Sequence, residues 1–537
     1  MTTSALTGTG KLMRLILRRD RVLLPLWVVP LGIIPVGYLS SFNGLFPTEA
    51  DRQHYADISV HNAGFVALYG QLSGSSIGEL VSWRAGFIPV MIALFSLLTV
   101  VRHTRTDEEA GRTELLGAAA IGRYAQLAAA VIVTFAANVV LALILTASMI
   151  GQGLPAAGSV AFGAEFGLAG WAFAGVAAVA AQLTSSARGA RSIAILVLGV
   201  AWVLRLAGDI SAIGTGTLAW LSWISPIGWV QHIFPYGGNH WWPAVLTLIF
   251  AVATAWMGAA LLARRDLGAG LLPDRPGPAT AAPSLRSPLA LAWRLHRGLL
   301  AGWVAGFAAL GLVFGAVAQS VADLVNGNSG LTQVFSRMGG ATGLVNSYFA
   351  SAAGLLGLFA AGYAVQATLR LRDEETTGHA EVILTSAVGR LRWAGSHLVF
   401  SLLGPAVVLA VAGFLEALTY GLISNDVGGQ LSGALGGTMA QLPAVWVLAA
   451  FAVLLFGLLP RWAPVAWGAL AVCLLVLLVG TTLQLDQWIL DISPFTHVPH
   501  LPGGHATATP LVTLTVVAGA LAAVGLTGLR RRDIPVG

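Results

Sequence analysis

Twelve stretches of about twenty mainly apolar residues follow one another along this chain of 537 residues, and that succession leaves little choice of fold. Hydrocarbon offers no partner for a peptide N–H or C=O, so a chain that crosses it satisfies its own backbone, as helices or as a closed barrel. A helix needs about 20 residues to cross roughly 30 Å of hydrocarbon, and these stretches have that length. Charged residues make up 10% of the chain and hydrophobic residues 56%, where soluble domains carry about 25% charged residues. The expected fold class is an all-α polytopic membrane protein.

The expected spans of the first half cover about 22–42, 80–101, 124–150, 159–183, 193–213 and 243–263. Those of the second half cover about 299–319, 347–369, 393–422, 436–459, 464–484 and 510–529. Six spans per half is an even number, so both halves point the same way and form two parallel six-helix repeats. The first repeat is read as residues 1–267, a Pro-, Gly- and Ala-rich cytoplasmic linker as 268–288, and the second repeat as 289–537. Basic residues gather in cytoplasmic loops. All but Arg52, Arg84, Arg205 and Arg337 of the 29 Lys and Arg fall on the side that holds both termini, which predicts a multi-pass plasma-membrane protein with both termini cytoplasmic. The net charge of +6 is explained by that asymmetry and by attraction to anionic headgroups, so membrane lipid is an expected partner and nucleic acid is not. Lys11 to Arg21, with interleaved leucines, reads as an amphipathic helix ahead of the first span, and Leu285–Gly298 as its counterpart. The lone cysteine, Cys473, excludes an intrachain disulfide.

The two halves also share residues. At a constant offset of 267, Arg105, Glu108, Gly111, Glu114, Ala120, Gly122 and Arg123 match Arg372, Glu375, Gly378, Glu381, Ala387, Gly389 and Arg390. The same offset pairs Arg264-Arg265-Asp266 with Arg531-Arg532-Asp533. Both copies of the first block join the second span to the third, and the block reads as a loop with a short helix, acidic near its positive N-terminal end. It is either an element that seats in a partner or an ordinary solvated helix.

No nucleotide site is encoded. A P-loop needs G-x-x-x-x-G-K-[ST], and around the single lysine, Lys11, Ala5 and Leu12 stand where Gly and Ser or Thr are required. The chain is therefore not expected to be an enzyme, and it has no catalytic residues. Its energy comes from an ion gradient or from a separate ATPase.

The twice-written pattern E-x-x-G-x-x-E, followed eight residues later by Gly-Arg, resembles the cytoplasmic loop of ABC-2 type exporter permeases. The six-span halves, the basic leading helix and the Ser-Pro segment before each sixth span are similar to that family. The fused twelve-span form resembles actinobacterial antibiotic-efflux permeases of the tetronasin or polyketide type, and 28 arginines beside one lysine suit a high-GC genome. The resemblance implies contacts with two copies of a separate ABC ATPase through Glu108, Gly111, Glu114, Gly122 and Arg123, and through Glu375, Gly378, Glu381, Gly389 and Arg390. It further implies that no cofactor is bound directly, with ATP and Mg held by the partner. The implied cargo is hydrophobic or amphipathic: antibiotics, drugs or lipids. A proton-coupled secondary transporter of the major facilitator kind has the same topology, but Asp107–Arg112 does not fit the loop pattern G-x-x-x-D-R-x-G-R.

Two further groups stand out. Trp220–Pro243 and Trp488–Pro510, each with a Ser-Pro pair (Ser225-Pro226, Ser493-Pro494), are too broken for spans and read as re-entrant helices at the outer interface, either capping a path or anchoring in it. Arg205, Asp209, Glu165 and Glu416 place charge within or near spans, where it marks substrate contact or a structural pair. His497, His500 and His505 lack a carboxylate or cysteine to complete a ligand set, so no metal is expected.

Overall fold

The computed structural model describes residues 5–60, 63–117, 121–213, 216–272, 279–280, 282–326, 340–479, 486–504 and 507–533. Ala120, Arg337 and His505 lie outside these, as does the end of the expected span 464–484. Among the described residues the regular structure is all helical, without strands, and eleven helical stretches are long and apolar enough to cross a membrane. The chain divides into two compact units, Met1–Gly277 and Pro278–Gly537, with the division inside residues 268–288.

In the first unit, α1 (Thr9–Arg19) turns Leu12 and Ile16 inward and leaves Lys11, Arg14 and Arg18 exposed, as its amphipathic spacing requires. There follow α2 (Leu23–Leu45), α3 (Glu49–Val60), α4 (Ala63–Tyr69), α5 (Ile77–Arg84) and α6 (Ile88–Val101). The expected span 80–101 is thus two helices. Ser76 and Glu79 form a reciprocal cap that starts α5, the chain breaks over residues 85–87, and α6 opens with Pro89 in its first turn. A π-helical turn at Arg102–Thr106 leads into α7 (Asp107–Glu109) and α8 (Arg112–Gly117). The unit closes with α9 (Ala125–Gly151), α10 (Ala156–Leu183), α11 (Ala187–Ile213), a 3-10 turn at Ala219–Ile224, α12 (Pro226–Gln231) and α13 (Trp241–Leu262).

α10 and α6 occupy the centre of this unit, while α13 keeps most of its surface on the outside. The reason is side-chain size. α10 presents Ala172, Ala174, Ala177, Ala178 and Ala180 to its neighbours, and small residues let helices approach closely.

The second unit runs through α14 (Pro288–Asn326), α15 (Gly340–Thr376), α16 (His379–Leu384), α17 (Arg390–Ser424), α18 (Val427–Met439), α19 (Leu442–Leu458), α20 (Val465–Val479), α21 (Gln487–Leu490) and α22 (Ala508–Arg531). One expectation is corrected. The separate leading helix at 285–298 is instead the start of α14, continuous over 39 residues, because no breaker separates it from the span. The expected span 436–459 falls within the spanning stretch Val427–Leu458, which is interrupted at residues 440–441, since Pro443, in the first turn of α19, has no N–H to continue a ladder from α18. α19 and α22 cross at Gly457 and Gly525, where an added Cβ would collide with the facing backbone.

We call the end of each unit that carries the 102–124 or 370–390 loop its basic end, and the opposite end its far end.

Candidate functional site

The repeated block folds into the same device in each unit, at the basic end. α6 carries its helix through the π turn, an insertion that shifts helical register and often occurs at functional positions. This brings Arg105 and Glu108 against the end of α13. Arg105 donates through Nε and Nη2 to the Thr184 carbonyl and through Nη2 to Ala269 O at 2.7 Å, and its Nη1 lies 2.8 Å from Glu108. Glu108 receives Arg265 as a two-pronged pair, Nη1 to Oε1 at 2.6 Å and Nη2 to Oε2 at 2.7 Å, and also the Gly268 N–H at 2.7 Å. In the second unit Arg532 meets Glu375 in the same fork, at 2.6 and 2.5 Å, with its guanidinium 4.9 Å from the Phe456 ring centre. Arg372 donates to Pro460 O at 3.1 Å, the counterpart of the Arg105–Thr184 contact.

Arg123 completes the device. Its Nη2 donates to Leu262 O, Ala263 O and Arg265 O, each at 3.0 Å, which covers carbonyls left open where α13 ends. Arg390 does the same for α22, through Arg530 O at 3.3 Å and Arg532 O at 2.6 Å. The block is therefore a socket around the C-terminal end of the sixth helix of its unit. Buried two-pronged carboxylate–guanidinium pairs hold position and angle together, because the planar fork admits one geometry.

The socket assigns each repeated residue a place. Glu108, Arg123, Glu375 and Arg390 are engaged within the chain. Gly111 and Gly378 have φ of +70° and +76° with open space around them, so glycine is required there by backbone conformation and not by crowding. That left-handed step starts α8 and α16, where Glu114 and Glu381 sit in the first turn and are exposed. Val382 beside Glu381 is 75% exposed. Gly122 donates its N–H to Thr7 O at 2.8 Å, and Gly389 caps the start of α17.

A second charged layer lies beneath. Asp107 takes Arg19 of α1 and Arg112, both at 2.7 Å, and Asp20 takes His103 at 2.5 Å and Arg102 at 3.3 Å. In the second unit Glu374 takes Arg370 at 2.8 Å and lies 3.7 Å from His379. His103, Asp107 and Arg112 correspond at the 267 offset to Arg370, Glu374 and His379. The two copies thus keep one acid between two nitrogen bases while exchanging the imidazole and the guanidinium. Asp20 and Arg265 were not among the residues the sequence singles out for function. Arg265 could have been, since it repeats at the same offset as Glu108.

The start of the expected linker is held in place. Gly268 bonds Glu108, Ala269 O accepts from Arg105 and Arg265, and the Leu271 and Leu272 N–H groups donate to Gln182 O and Leu183 O at 3.0 and 2.8 Å.

At the far end, Ser225 accepts the Ile227 and Gly228 N–H groups at 3.2 Å with Pro226 at the first helical position, and Ser493 accepts the Phe495 N–H at 3.4 Å with Pro494 likewise. The repeated Ser-Pro is a helix start. Arg205 donates to Val66 O at 3.0 Å and lies 3.7 Å from Asp209, which accepts from Gln71 at 3.0 Å, so this pair on α11 fastens α4 and the turn after it. Glu165 and Glu416 stand apart from any such network, Glu416 with both oxygens buried and without a hydrogen bond. His497 bonds Asp491 O at 3.1 Å.

The profile of a family described as "Multidrug efflux system permease Rv1217c, C-terminal domain" matches residues 11–262 and 285–530. The multidrug efflux system permease protein Rv1217c of Mycobacterium tuberculosis is 42% identical over 532 residues, covering 99% of this chain and 96% of that protein. A match across both units, with a relative at that identity over nearly the whole chain, fixes the family: this chain belongs to the Rv1217c family of multidrug efflux system permeases.

Proposed function

We propose that this protein is the membrane-spanning subunit of an ATP-driven exporter of the ABC-2 type. It moves hydrophobic or amphipathic compounds, antibiotics and other drugs above all, out of the cell. Its termini face the cytoplasm, and ATP with Mg is bound and hydrolysed by two copies of a separate ATPase subunit. The observation that carries this reading is the duplicated socket. In each unit a short helix stands at the basic end, started by a left-handed glycine, with one repeated acid exposed (Glu114 or Glu381) and the other (Glu108 or Glu375) locked onto the end of the sixth helix. An ATPase that grips the exposed acid moves the locked one with it, and through it α13 or α22. Glu114 and Glu381 make the contact, Glu108 and Glu375 pass the motion on, and Gly111, Gly122, Arg123, Gly378, Gly389 and Arg390 hold the shape. The name of the Mycobacterium tuberculosis relative supports the substrate class.

The test is co-purification of the chain with the product of an adjacent ATPase gene, followed by ATPase and transport assays in lipid. A Glu114→Arg, Glu381→Arg double variant is expected to stay folded and lose the partner. If no ATPase associates and vesicle transport follows a proton gradient alone, the reading is wrong.

A further inference from the structure

Glu165 lies in α10 nine residues from its far-end start, roughly 14 Å along the helix. It is 3% exposed, between the fully buried Phe162 and Phe166. It makes no hydrogen bond or ion pair among the described residues. An unpaired carboxyl in such a place is costly, and one at membrane depth marks a function unless something compensates it. It borders a cavity of about 20 Å³, the room of one water or one small polar group. The cavity reaches the surface at the exposed Ser73.

The polar groups around it lean to one side. Of the six side chains with donors that line the cavity, five are already engaged with an acceptor: Gln71 on Asp209 at 3.0 Å, Ser73 on Glu79 at 3.2 Å, Ser82 on Glu79 O at 3.0 Å, Trp83 Nε1 on Gly70 O at 2.8 Å, and Gln231 Nε2 on Gly86 O at 2.7 Å; the sixth is Tyr69. Burial pushes the Tyr69 hydroxyl up to about 12, so it stays neutral, and Arg84 rests over its ring at 4.5 Å. What remains open, beside the Tyr69 hydroxyl, which can give or accept, is the Glu165 carboxyl and the Gln231 Oε1, which has no partner. A space lined this way calls for a compact guest that donates several hydrogen bonds and carries positive charge.

We propose that this cavity takes the –NH₃⁺ group of a primary amine carried by an amphipathic cation, donating to Glu165 and Gln231 while the apolar body stays outside. A quaternary ammonium has no N–H and exceeds the space, and an alcohol brings no charge. The inference rests on the drug-export reading only in taking the amine for a transported compound; binding itself needs no ATPase.

The experiment is equilibrium dialysis of the full-length protein in lipid nanodiscs against radiolabelled phenethylamine, its N-trimethyl analogue and 2-phenylethanol. Phenethylamine is expected to bind saturably and roughly tenfold tighter than either analogue, the size of one charge-assisted hydrogen bond. Glu165→Gln is expected to bring the three to the same affinity, Glu165→Asp to fall between, and Glu416→Gln, at a buried acid away from the cavity lining, to keep the preference. Equal binding of the three probes by the unaltered protein overturns the proposal without any variant, and so does a preference that survives in folded Glu165→Gln. Loss of ATP-driven export with intact amine selectivity would count against the export reading alone.

Discussion

Arg265 closes on Glu108 through two parallel bonds, and in sequence the partners stand 157 residues apart, the same separation as Arg532 and Glu375. Equal separations mean that each unit joins the loop after its second helix to the end of its sixth by one rule. Opening one such pair leaves a buried charge without its counterion, which costs about 3–5 kcal/mol. Glu108→Ala and Glu375→Ala are each expected to lower the thermal midpoint of the purified protein. The exchanged double variant Glu108→Arg, Arg265→Glu should recover part of the loss, and both midpoints should respond little to salt because the pairs are buried. Thermal unfolding in detergent at low and high salt checks all of this. Unchanged midpoints in the single variants would remove the socket from the account.

Gly111→Ala and Gly378→Ala force a side chain into the left-handed region, at roughly 1–2 kcal/mol each. Since space around both is open, the effect should be confined to the loop. Faster amide exchange over 107–117 or 374–384, with the spanning helices unchanged, is the expected signature by mass spectrometry.

Arg205→Leu strands Asp209 in a buried site, whereas Arg205→Leu with Asp209→Leu removes the whole pair. The single variant is expected to be the less stable of the two, by a few kcal/mol on the scale of buried pairs, in a double-mutant thermal series. A single variant as stable as the unaltered protein would mean that the fastening of α4 is unimportant.

Ser225→Ala should cost about 1 kcal/mol or more and Ser493→Ala less. Both serines cap a helix, but the Ser225 hydroxyl also donates to Ala201 O at 2.6 Å, tying the cap to α11. Thermal midpoints of the two variants, compared side by side, decide the order.

Fold class was legible because hydropathy is a property of every residue, and twenty consecutive apolar side chains announce a span whatever they pack against. The breaks at residues 85–87 and 440–441 were less visible. They depend on single prolines inside apolar stretches, and a run of apolar residues looks the same on either side. The repeat exposed both partners of the socket, the acid and the Arg-Arg-Asp that follows the sixth helix. It did not expose that they touch, because residues 157 apart carry no sequence mark of contact. Glu108 and Glu114 illustrate the limit: alike in type and in repetition, one is enclosed and the other exposed, and only the left-handed glycine between them turns the chain. Glu165 was visible as a charge in an apolar helix, while the engagement of five of the six donor side chains around it is a matter of bonds only the folded chain reveals.

The unbroken α14 sets the second unit apart mechanically. Its 39 residues make a rod of roughly 58 Å, while the corresponding stretch of the first unit is jointed between α1 and α2. A torque applied near Pro288 therefore travels the length of the rod to the far end, but one applied to α1 meets a change of direction at Asp20–Val22, where the buried Asp20 passes it sideways to His103 and Arg102. Identical pushes delivered at the two basic ends would take different routes, along one rod in the second unit and into the charged layer of the loop in the first.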